Sequence, residues 1–177
     1  TSTHENEMND IKIRPETEAD WPTVFEILHQ AFEDSAEPKL VERIRSSGAE
    51  LISLVAEKDA VVVGHILFSP VTLEGNSDLR LMGLAPMGVV PIMQRSGIGS
   101  ALVNAGLEHC RERNISGVVV LGHPKYYPKF GFESASKFGI DCEYDVPDEV
   151  FMALELVPGC FNEVKGTVRY HEAFGEL

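Results

Sequence analysis

The stretch from Leu84 to Leu102 limits what this chain can fold into more than any other part, because three elements follow one another there without a break. Its apolar beginning predicts a strand, Gly97 and Gly99 predict a tight turn, and the next residues have the spacing of an amphipathic helix. The first turn of a helix leaves backbone N–H groups without partners at the positive end of the helix dipole. We therefore expect a phosphate or pyrophosphate group to bind at this turn.

The apolar residues on either side of this stretch predict one α/β domain. Before it, we expect a strand at 11–14, two helices, and a hairpin of strands at 51–57 and 60–69. After it, Val118–Leu121 predicts a strand that is buried on both faces, and 150–156 predicts a further strand. Helical spacing predicts that the first helix buries a face made of Trp21, Val24, Phe25, Leu28 and Phe32.

A crossover and an interrupted strand complete the predicted architecture. The order strand, helix, strand around a helix at 97–113 implies a parallel crossover, which is right-handed by the general rule. Pro86 and Gly88 interrupt a long strand at 79–90, and a proline inside a strand is tolerated only at a bulge or an unpaired edge. We therefore predict a mixed, mostly antiparallel central sheet with helices on both faces and a bulged, splayed central strand that opens a cleft.

Length and charge limit the size of the core and the kind of partner. The 177 residues suffice for one well-buried core, which we place at 10–177 behind a disordered extension at 1–9. The chain carries 28 Asp and Glu against 15 Lys and Arg, whereas nucleic-acid binding relies on cations that neutralise phosphates. With a net charge of −13, an anionic ligand must be held by backbone amides and a few local cations. The acidic field would attract an amine-bearing partner.

The cysteines and the apolar runs bear on the compartment. Cys110, Cys142 and Cys160 form no Cys-x-x-Cys pair, which favours reduced thiols and a cytoplasmic location. No stretch approaches the roughly 20 apolar residues that a membrane span needs. The first nine residues have no apolar segment of the kind found in a signal peptide. We expect no membrane, no nucleic acid and no metal among the partners.

Two common phosphate-binding patterns do not fit the turn. A Walker-A loop needs a lysine after its glycines, and none follows them here. A dinucleotide fingerprint needs Gly-x-Gly-x-x-Gly directly after the first strand, whereas Gly97 and Gly99 come after a hairpin and a late strand. The turn must therefore serve another phosphate-bearing ligand.

A longer pattern around the turn is far more specific than its two glycines. Residues 90–102 contain Val-Pro-x-x-Gln-Arg-x-Gly-Ile-Gly-x-x-Leu, which resembles the Gln/Arg-x-x-Gly-x-Gly/Ala signature of the GCN5-related N-acetyltransferase (GNAT) superfamily. Residues 127–132, Tyr-x-x-Phe-Gly-Phe, resemble a second element of that superfamily. The first strand and the hairpin also match, so the resemblance covers 11–132. The runs 120–132 and 166–174 are similar to the YhbS-like family of predicted acetyltransferases.

This resemblance implies that acetyl-CoA is the ligand and that the turn holds its pyrophosphate. It implies that the backbone amides of Met87 and Val89 pair with the pantetheine arm inside the cleft. Arg95 either supplies a cation or is simply exposed to solvent. The implied pyrophosphate amides are those of Gln94, Arg95, Ser96, Gly97, Ile98, Gly99 and Ser100.

The implied reaction is transfer of the acetyl group to an amine acceptor by direct attack in a ternary complex. Tyr127 occupies the position of the general acid that protonates the leaving thiolate, and a phenol is protonated at neutral pH. The alternative is that Tyr127, or Tyr126 beside it, only packs under the sheet. His123 ends the buried strand where ligands collect in α/β sheets, so it is the candidate base, although it could equally be a satisfied strand-end residue.

Other interpretations stay open at this point. His65 and Glu33 are weaker candidates for the base, and a chain of waters could replace any single base. A non-catalytic acetyl-CoA-binding module would need the same turn but would leave Tyr127 free to vary. A plain α/β interaction domain would need neither. The acceptor is expected to be a small-molecule amine, with a protein amine as the second choice, and a homodimer is compatible with the sequence.

Overall fold

The computed structural model describes residues 10–32 and 36–176. The extension predicted at 1–9 and the candidate base Glu33 lie outside the described residues. The chain forms two compact units. The first unit comprises the described residues up to Phe68 together with Pro86–His109, and the second comprises Ser69–Ala85 together with Cys110–Glu176.

The predicted order of helices and strands is largely confirmed. The α-helices of the described chain are α1 (Trp21–Phe32), α2 (Ala36–Ser46) and α3 (Ile98–Glu112). Its strands are β1 (Ile11–Pro15), β2 (Ile52–Lys58), β3 (Val61–Leu73), β4 (Leu81–Val89), β5 (Gly117–Leu121), β6 (Glu133–Ser134), β7 (Ile140–Cys142), β8 (Phe151–Glu155) and β9 (Gly166–Arg169). None of these helices is both long enough and apolar enough to cross a bilayer.

Hydrogen bonds join the strands in the order β1-β2-β3-β4-β5-β8-β6. The pairs β1–β2, β2–β3, β5–β8 and β6–β8 are antiparallel, whereas β4 and β5 are parallel. A short pair, β7 with β9, is also parallel, and β9 pairs antiparallel with the end of β3. This arrangement confirms the predicted mixed, mostly antiparallel sheet with a parallel crossover. β3 and β4 each contribute residues to both units.

In the first unit, α3 packs closely against one face of the β2–β3 hairpin. A Cβ on Gly64 would lie 3.1 Å from Cδ1 of Leu102, and one on Gly106 would lie only 2.1 Å from Cε2 of Phe68. Gly64 and Phe68 share a face of β3, because side chains alternate along a strand, and His65 points to the other face. Nε2 of His65 lies 3.7 Å from the carboxylate of Glu16, which pairs with Arg45 of α2 at 2.7 Å. The hairpin therefore has helices on both faces, as predicted.

The predicted buried face of α1 is partly wrong. Its buried residues are Val24, Ile27 and Leu28, whereas Trp21 and Phe32 are 40% and 37% exposed. Both lie at the ends of the helix. Periodicity identifies the buried face of a helix, but it does not show how far along the helix the rest of the protein covers that face.

The second unit has its own apolar core, which is centred on β5 and β8. Val119 of β5 and Ala153 of β8 are completely buried and lie opposite each other in the antiparallel register. The three cysteines form no disulfide bond. Burial raises the pKa of the Cys110 thiol to about 12, so this group is an inert part of the packing.

Candidate active site

The turn between β4 and α3 is fixed by its own hydrogen bonds. The backbone N–H of Val90 donates to the carbonyl oxygen of Val63 at 2.9 Å, which holds the end of β4 on β3. The side-chain amide of Gln94 donates to the carbonyl of Val89 at 3.1 Å, and the hydroxyl of Ser96 donates to the carbonyl of Met93. The turn is therefore shaped before any ligand binds.

Two residues of this turn have a left-handed backbone conformation. The φ angle of Gly97 is +91° and that of Arg95 is +65°. Glycine accepts such an angle readily, whereas a residue with a side chain does so at a cost. Left-handed residues within a turn can direct successive N–H groups into a concavity that binds anions. The strain at Arg95 therefore accompanies a backbone shape that is suited to a phosphate.

The first turn of α3 completes this anion site. The amide of Ala101 donates to the carbonyl of Gly97 at 3.0 Å, which is the first hydrogen bond of the helix. No backbone acceptor within 10–32 and 36–176 meets the amides of Ile98 and Gly99, as is usual for the start of a helix. The side chain of Ile98 is buried and anchors the helix, while Gly97 is exposed. The amides are thus available to a ligand in front of the helix.

The pantetheine wall is predicted at the end of β4. The register that pairs β4 with β5 ends at Leu84, and β4 runs on to Val89. Met87, which was predicted to pair with pantetheine, lies in this extension and is half-buried. A Cβ on Gly88 would lie 3.2 Å from Cδ2 of Leu28, so this glycine also lets α1 approach the strand. The bulge that was expected at Pro86 and Gly88 stays a prediction.

Tyr127 begins a short 3-10 helix, Tyr127–Phe130, that follows β5. Only 8% of this tyrosine is exposed, and its ring meets Tyr126 and Phe132 edge-on, with centroids at 5.1 and 5.7 Å. Burial, and to a lesser degree Tyr126, raises the pKa of the phenol to about 12. The hydroxyl is therefore protonated at neutral pH and can act as a hydrogen-bond donor or as an acid.

His123 is exposed and is tied into the turn that precedes Tyr127. Its ring Nδ1 accepts a hydrogen bond from the backbone N–H of Lys125 at 3.2 Å. Because a backbone N–H can only donate, a neutral His123 carries its proton on Nε2. The nitrogen that could accept a proton is thus already engaged.

His65, a weaker candidate for the base, is completely buried in the first unit. Its Nε2 lies 2.8 Å from Oγ of Ser53, and burial followed by the charge of Arg45 lowers its pKa to about 3. Its burial and its low pKa disfavour His65 as the base. Among the described residues, no group of three or more His, Cys, Asp or Glu side chains could hold a metal ion.

The predicted site residues fall into two groups, one in each unit. The turn 94–100 lies in the first unit together with Met87 and Val89. Tyr127 and His123 lie together in the second unit, at the end of β5.

A mixed sheet with a parallel crossover, and a turn with left-handed residues in front of the crossover helix, are typical of an acyl-CoA-dependent transferase. The family model described as an acetyltransferase (GNAT) domain matches residues 12–135, and the chain belongs to this family. It is an acetyl-CoA-dependent N-acetyltransferase, and the sequence interpretation of family, fold and acetyl donor is confirmed.

Relatives are similar over nearly the whole chain. The uncharacterized N-acetyltransferase YhbS of Escherichia coli K12 is 37% identical over 166 residues, which cover 93% of this chain and 99% of that protein. The crystal structure of Escherichia coli YhbS in complex with CoA matches with a TM-score of 0.90 and 36% identity, and covers 94% of this chain and 92% of that one. A GNAT family acetyltransferase from Brucella melitensis in complex with acetyl-CoA matches with a TM-score of 0.78 and 33% identity, over 93% and 97% of the two chains.

Proposed function

We propose that this enzyme transfers the acetyl group of acetyl-CoA directly to a primary amine within a ternary complex. The observation that carries this proposal is the turn in front of α3, where left-handed Arg95 and Gly97 precede helix amides that meet no backbone acceptor in the described chain. The pyrophosphate of acetyl-CoA would bind there.

The charge of the protein supports binding through backbone amides. With a net charge of −13, the protein as a whole repels an anionic cofactor, so attraction must come from local groups. The amides of residues 94–100 and the dipole of α3 provide it, and the exposed Arg95 adds a cation next to the phosphates. Two relatives with more than 30% identity are described in complex with CoA or acetyl-CoA, which supports the same ligand here.

The pantetheine arm is proposed to lie along the end of β4. The amides of Met87 and Val89 would pair with its amide groups, as one strand pairs with another. The support for this placement is that β4 continues to Val89 after its register with β5 has ended at Leu84.

The chemistry requires a neutral amine and a protonated leaving group. An alkylamine is neutral in only about 0.04% of molecules near pH 7, so the site must bind this form or accept a proton from it. The amine nitrogen attacks the thioester carbonyl carbon, the carbon–sulfur bond breaks, and the sulfur takes a proton. We propose that the Tyr127 hydroxyl gives this proton, because burial keeps it protonated at neutral pH.

The proton of the attacking amine leaves by a different route. His123 remains a candidate base, although its Nδ1 accepts the Lys125 amide and would have to give up that hydrogen bond to take a proton. A chain of waters that leads to solvent can carry this proton away as well, without any single residue acting as the base. The acceptor is proposed to be a small-molecule amine, with a protein amine as the second choice, because an acidic protein attracts cations. A homodimer and a cytoplasmic location stay predictions from the sequence.

The test is release of free CoA by the purified full-length chain. Acetyl-CoA is supplied with pools of small amines and, separately, with peptides that have free N-termini or lysines, and the released thiol is measured with a chromogenic reagent. We expect release that depends on one pool. If acetyl-CoA raises the melting temperature but no pool releases CoA, the chain is a non-catalytic acetyl-CoA-binding module. If millimolar acetyl-CoA has no effect on melting, the proposed ligand is wrong.

A further inference from the structure

The ring of Tyr127 occupies the space that a side chain at position 122 would need. A Cβ on Gly122 would lie 2.3 Å from Cε2 of this ring, 2.8 Å from Cδ2 and 3.3 Å from Cζ. Real Cβ atoms do not approach other atoms this closely, so any side chain at position 122 would displace the ring. The Cδ2–Cε2 edge of the ring therefore rests against bare backbone.

Four hydrogen bonds hold the turn that connects Gly122 to Tyr127. The amide of Gly122 donates to the carbonyl of Val150 at 3.0 Å, which fixes the start of the turn to the residue that precedes β8. The carbonyl of His123 accepts the amides of Tyr126 at 3.1 Å and of Tyr127 at 3.4 Å. The imidazole of His123 accepts the amide of Lys125 at 3.2 Å.

We propose that Gly122 and His123 are positioning residues for Tyr127, which hold its hydroxyl in the orientation that the transfer step uses. Gly122 provides the surface on which the ring lies, and His123 fixes the turn through its Nδ1 and its carbonyl oxygen. This inference rests on the proposed role of Tyr127 as the acid, and it gives His123 a role other than the base.

The hydrogen bond of His123 has the geometry of an asparagine turn. Asn and Asp side chains accept the backbone N–H two residues further on, and this local bond fixes a turn. In His123 the Nδ1 atom takes the place of that side-chain oxygen, since it accepts the amide of Lys125 two residues later. An asparagine at position 123 would keep this bond, whereas it could not act as a base. The two roles of His123 therefore predict opposite effects for His123→Asn.

Nitration of tyrosine by tetranitromethane reports the position of the Tyr127 ring without any acceptor substrate. The reagent attacks the Cε atoms of the phenolate, and one of these, Cε2, lies against Gly122. Displacing the ring exposes this atom and removes part of the burial that raises the pKa of the phenol. Mass spectrometry of the peptide that contains Tyr126 and Tyr127 measures the rate at each ring separately, so nitration of Tyr127 is not confused with nitration of Tyr126.

We expect Gly122→Ala and His123→Ala to raise the nitration rate of Tyr127 about tenfold, because one unit of pKa changes the phenolate fraction tenfold. His123→Asn should stay within about twofold of the parent chain, because it keeps the turn. Gly106→Ala is the matched control: it creates a clash of the same kind with Phe68, in the other unit, and should leave Tyr127 unchanged. Gly175→Ala, where a Cβ meets nothing within 4 Å, controls for the substitution itself.

The inference is wrong if Gly122→Ala and His123→Ala both leave nitration of Tyr127 at the parent rate. The part that concerns the Nδ1 atom is wrong if His123→Asn behaves like His123→Ala. Should Gly122→Ala fail to fold, the two variants at the exposed position 123 still decide the matter. CoA release separates this inference from the proposed function: release that Tyr127→Phe leaves unchanged refutes the acid role and leaves the nitration results as they stand.

Discussion

Nε2 of His65 lies 2.8 Å from Oγ of Ser53 and 3.7 Å from a carboxylate oxygen of Glu16, in an imidazole that solvent does not reach. The Nδ1 atom of the same ring has no hydrogen-bond partner among the described residues. Glu16 and Arg45 lie beside this imidazole. The guanidinium of Arg45 donates to both carboxylate oxygens of Glu16, at 3.0 and 2.7 Å. The positive charge of Arg45 and the burial both oppose protonation of His65.

We predict that His65 makes the fold less stable as the pH falls below 6.5. Its pKa is about 3 in the folded chain against an ordinary value of 6.5, so only the unfolded chain takes up a proton between these values. The free energy of unfolding should then fall by about 1.4 kcal/mol per pH unit from this one group. Urea unfolding between pH 6.5 and 5 measures the slope, and His65→Gln should remove it.

A second prediction concerns the carboxylate of Asp20. Arg14 donates to both of its oxygens, at 2.7 and 2.9 Å, and the amide of Thr17 donates to one of them at 2.7 Å. These bonds, with that from Arg14 first, hold the pKa of Asp20 well below its ordinary 3.8. The stability that these bonds provide is present above pH 3.8 and is lost as the pH falls below this value. This loss therefore does not affect the measurement on His65, which is made between pH 6.5 and 5.

Asp20→Asn should lower the free energy of unfolding at pH 7 by about 1–3 kcal/mol. The NH₂ group of the new asparagine cannot accept a hydrogen bond, so donors of Arg14 or Thr17 are left without an acceptor. The comparison is Lys137→Ala, which removes the exposed pair of Lys137 and Glu133 at 3.2 Å. An exposed pair of this kind contributes at most about 0.5 kcal/mol. Equal losses in the two variants, measured by urea unfolding, would contradict the structural role of Asp20.

The fold was predictable to the extent that periodicity reveals burial. The long apolar runs of β3, β4 and β5 gave their strands and the parallel crossover. Two short strands, β6 and β7, were not predicted, because two or three residues are too few to show a period. Trp21 was misplaced because helical spacing does not show that this end of α1 is exposed, where the guanidinium of Arg45 covers the indole at 4.8 Å.

The candidate site was predictable where a pattern of residue types reflects a backbone requirement. Gly97 is identifiable because only a glycine-rich turn admits its φ of +91° at no cost. From the sequence, Gly122 could be identified only as the end of a strand. Its proposed role depends on the ring of Tyr127, which is five residues later in the chain and lies against it. The hydrogen bond to the Nδ1 atom of His123 is likewise invisible in a sequence, since it depends on a side-chain rotamer.

Replacing Gly97 should abolish binding of acetyl-CoA. A valine there would have to adopt a φ near +91°, and its side chain would stand where the phosphates approach the backbone. We expect at least a tenfold loss of affinity by isothermal titration, which corresponds to about 1.4 kcal/mol. Gly48→Val is the matched control, because Gly48 also has a positive φ, of +75°, but ends α2 with nothing within 4 Å. A Gly97 variant that binds as tightly as the parent would contradict the proposed pyrophosphate site.

Tyr127→Phe should separate catalysis from binding. The phenylalanine ring keeps the packing against Tyr126 and Phe132 but removes the hydroxyl, the proposed source of the proton for the leaving thiolate. General-acid catalysis contributes about 10²–10⁴-fold, so CoA release with the active amine pool should fall by at least about 100-fold. The affinity for acetyl-CoA should stay nearly unchanged, because the proposed pyrophosphate and pantetheine contacts come from other residues. Tyr126→Phe, one residue earlier, is the control and should retain most of the activity. Equal losses of turnover and affinity in Tyr127→Phe would show that this tyrosine supports the cofactor site and does not act as the acid.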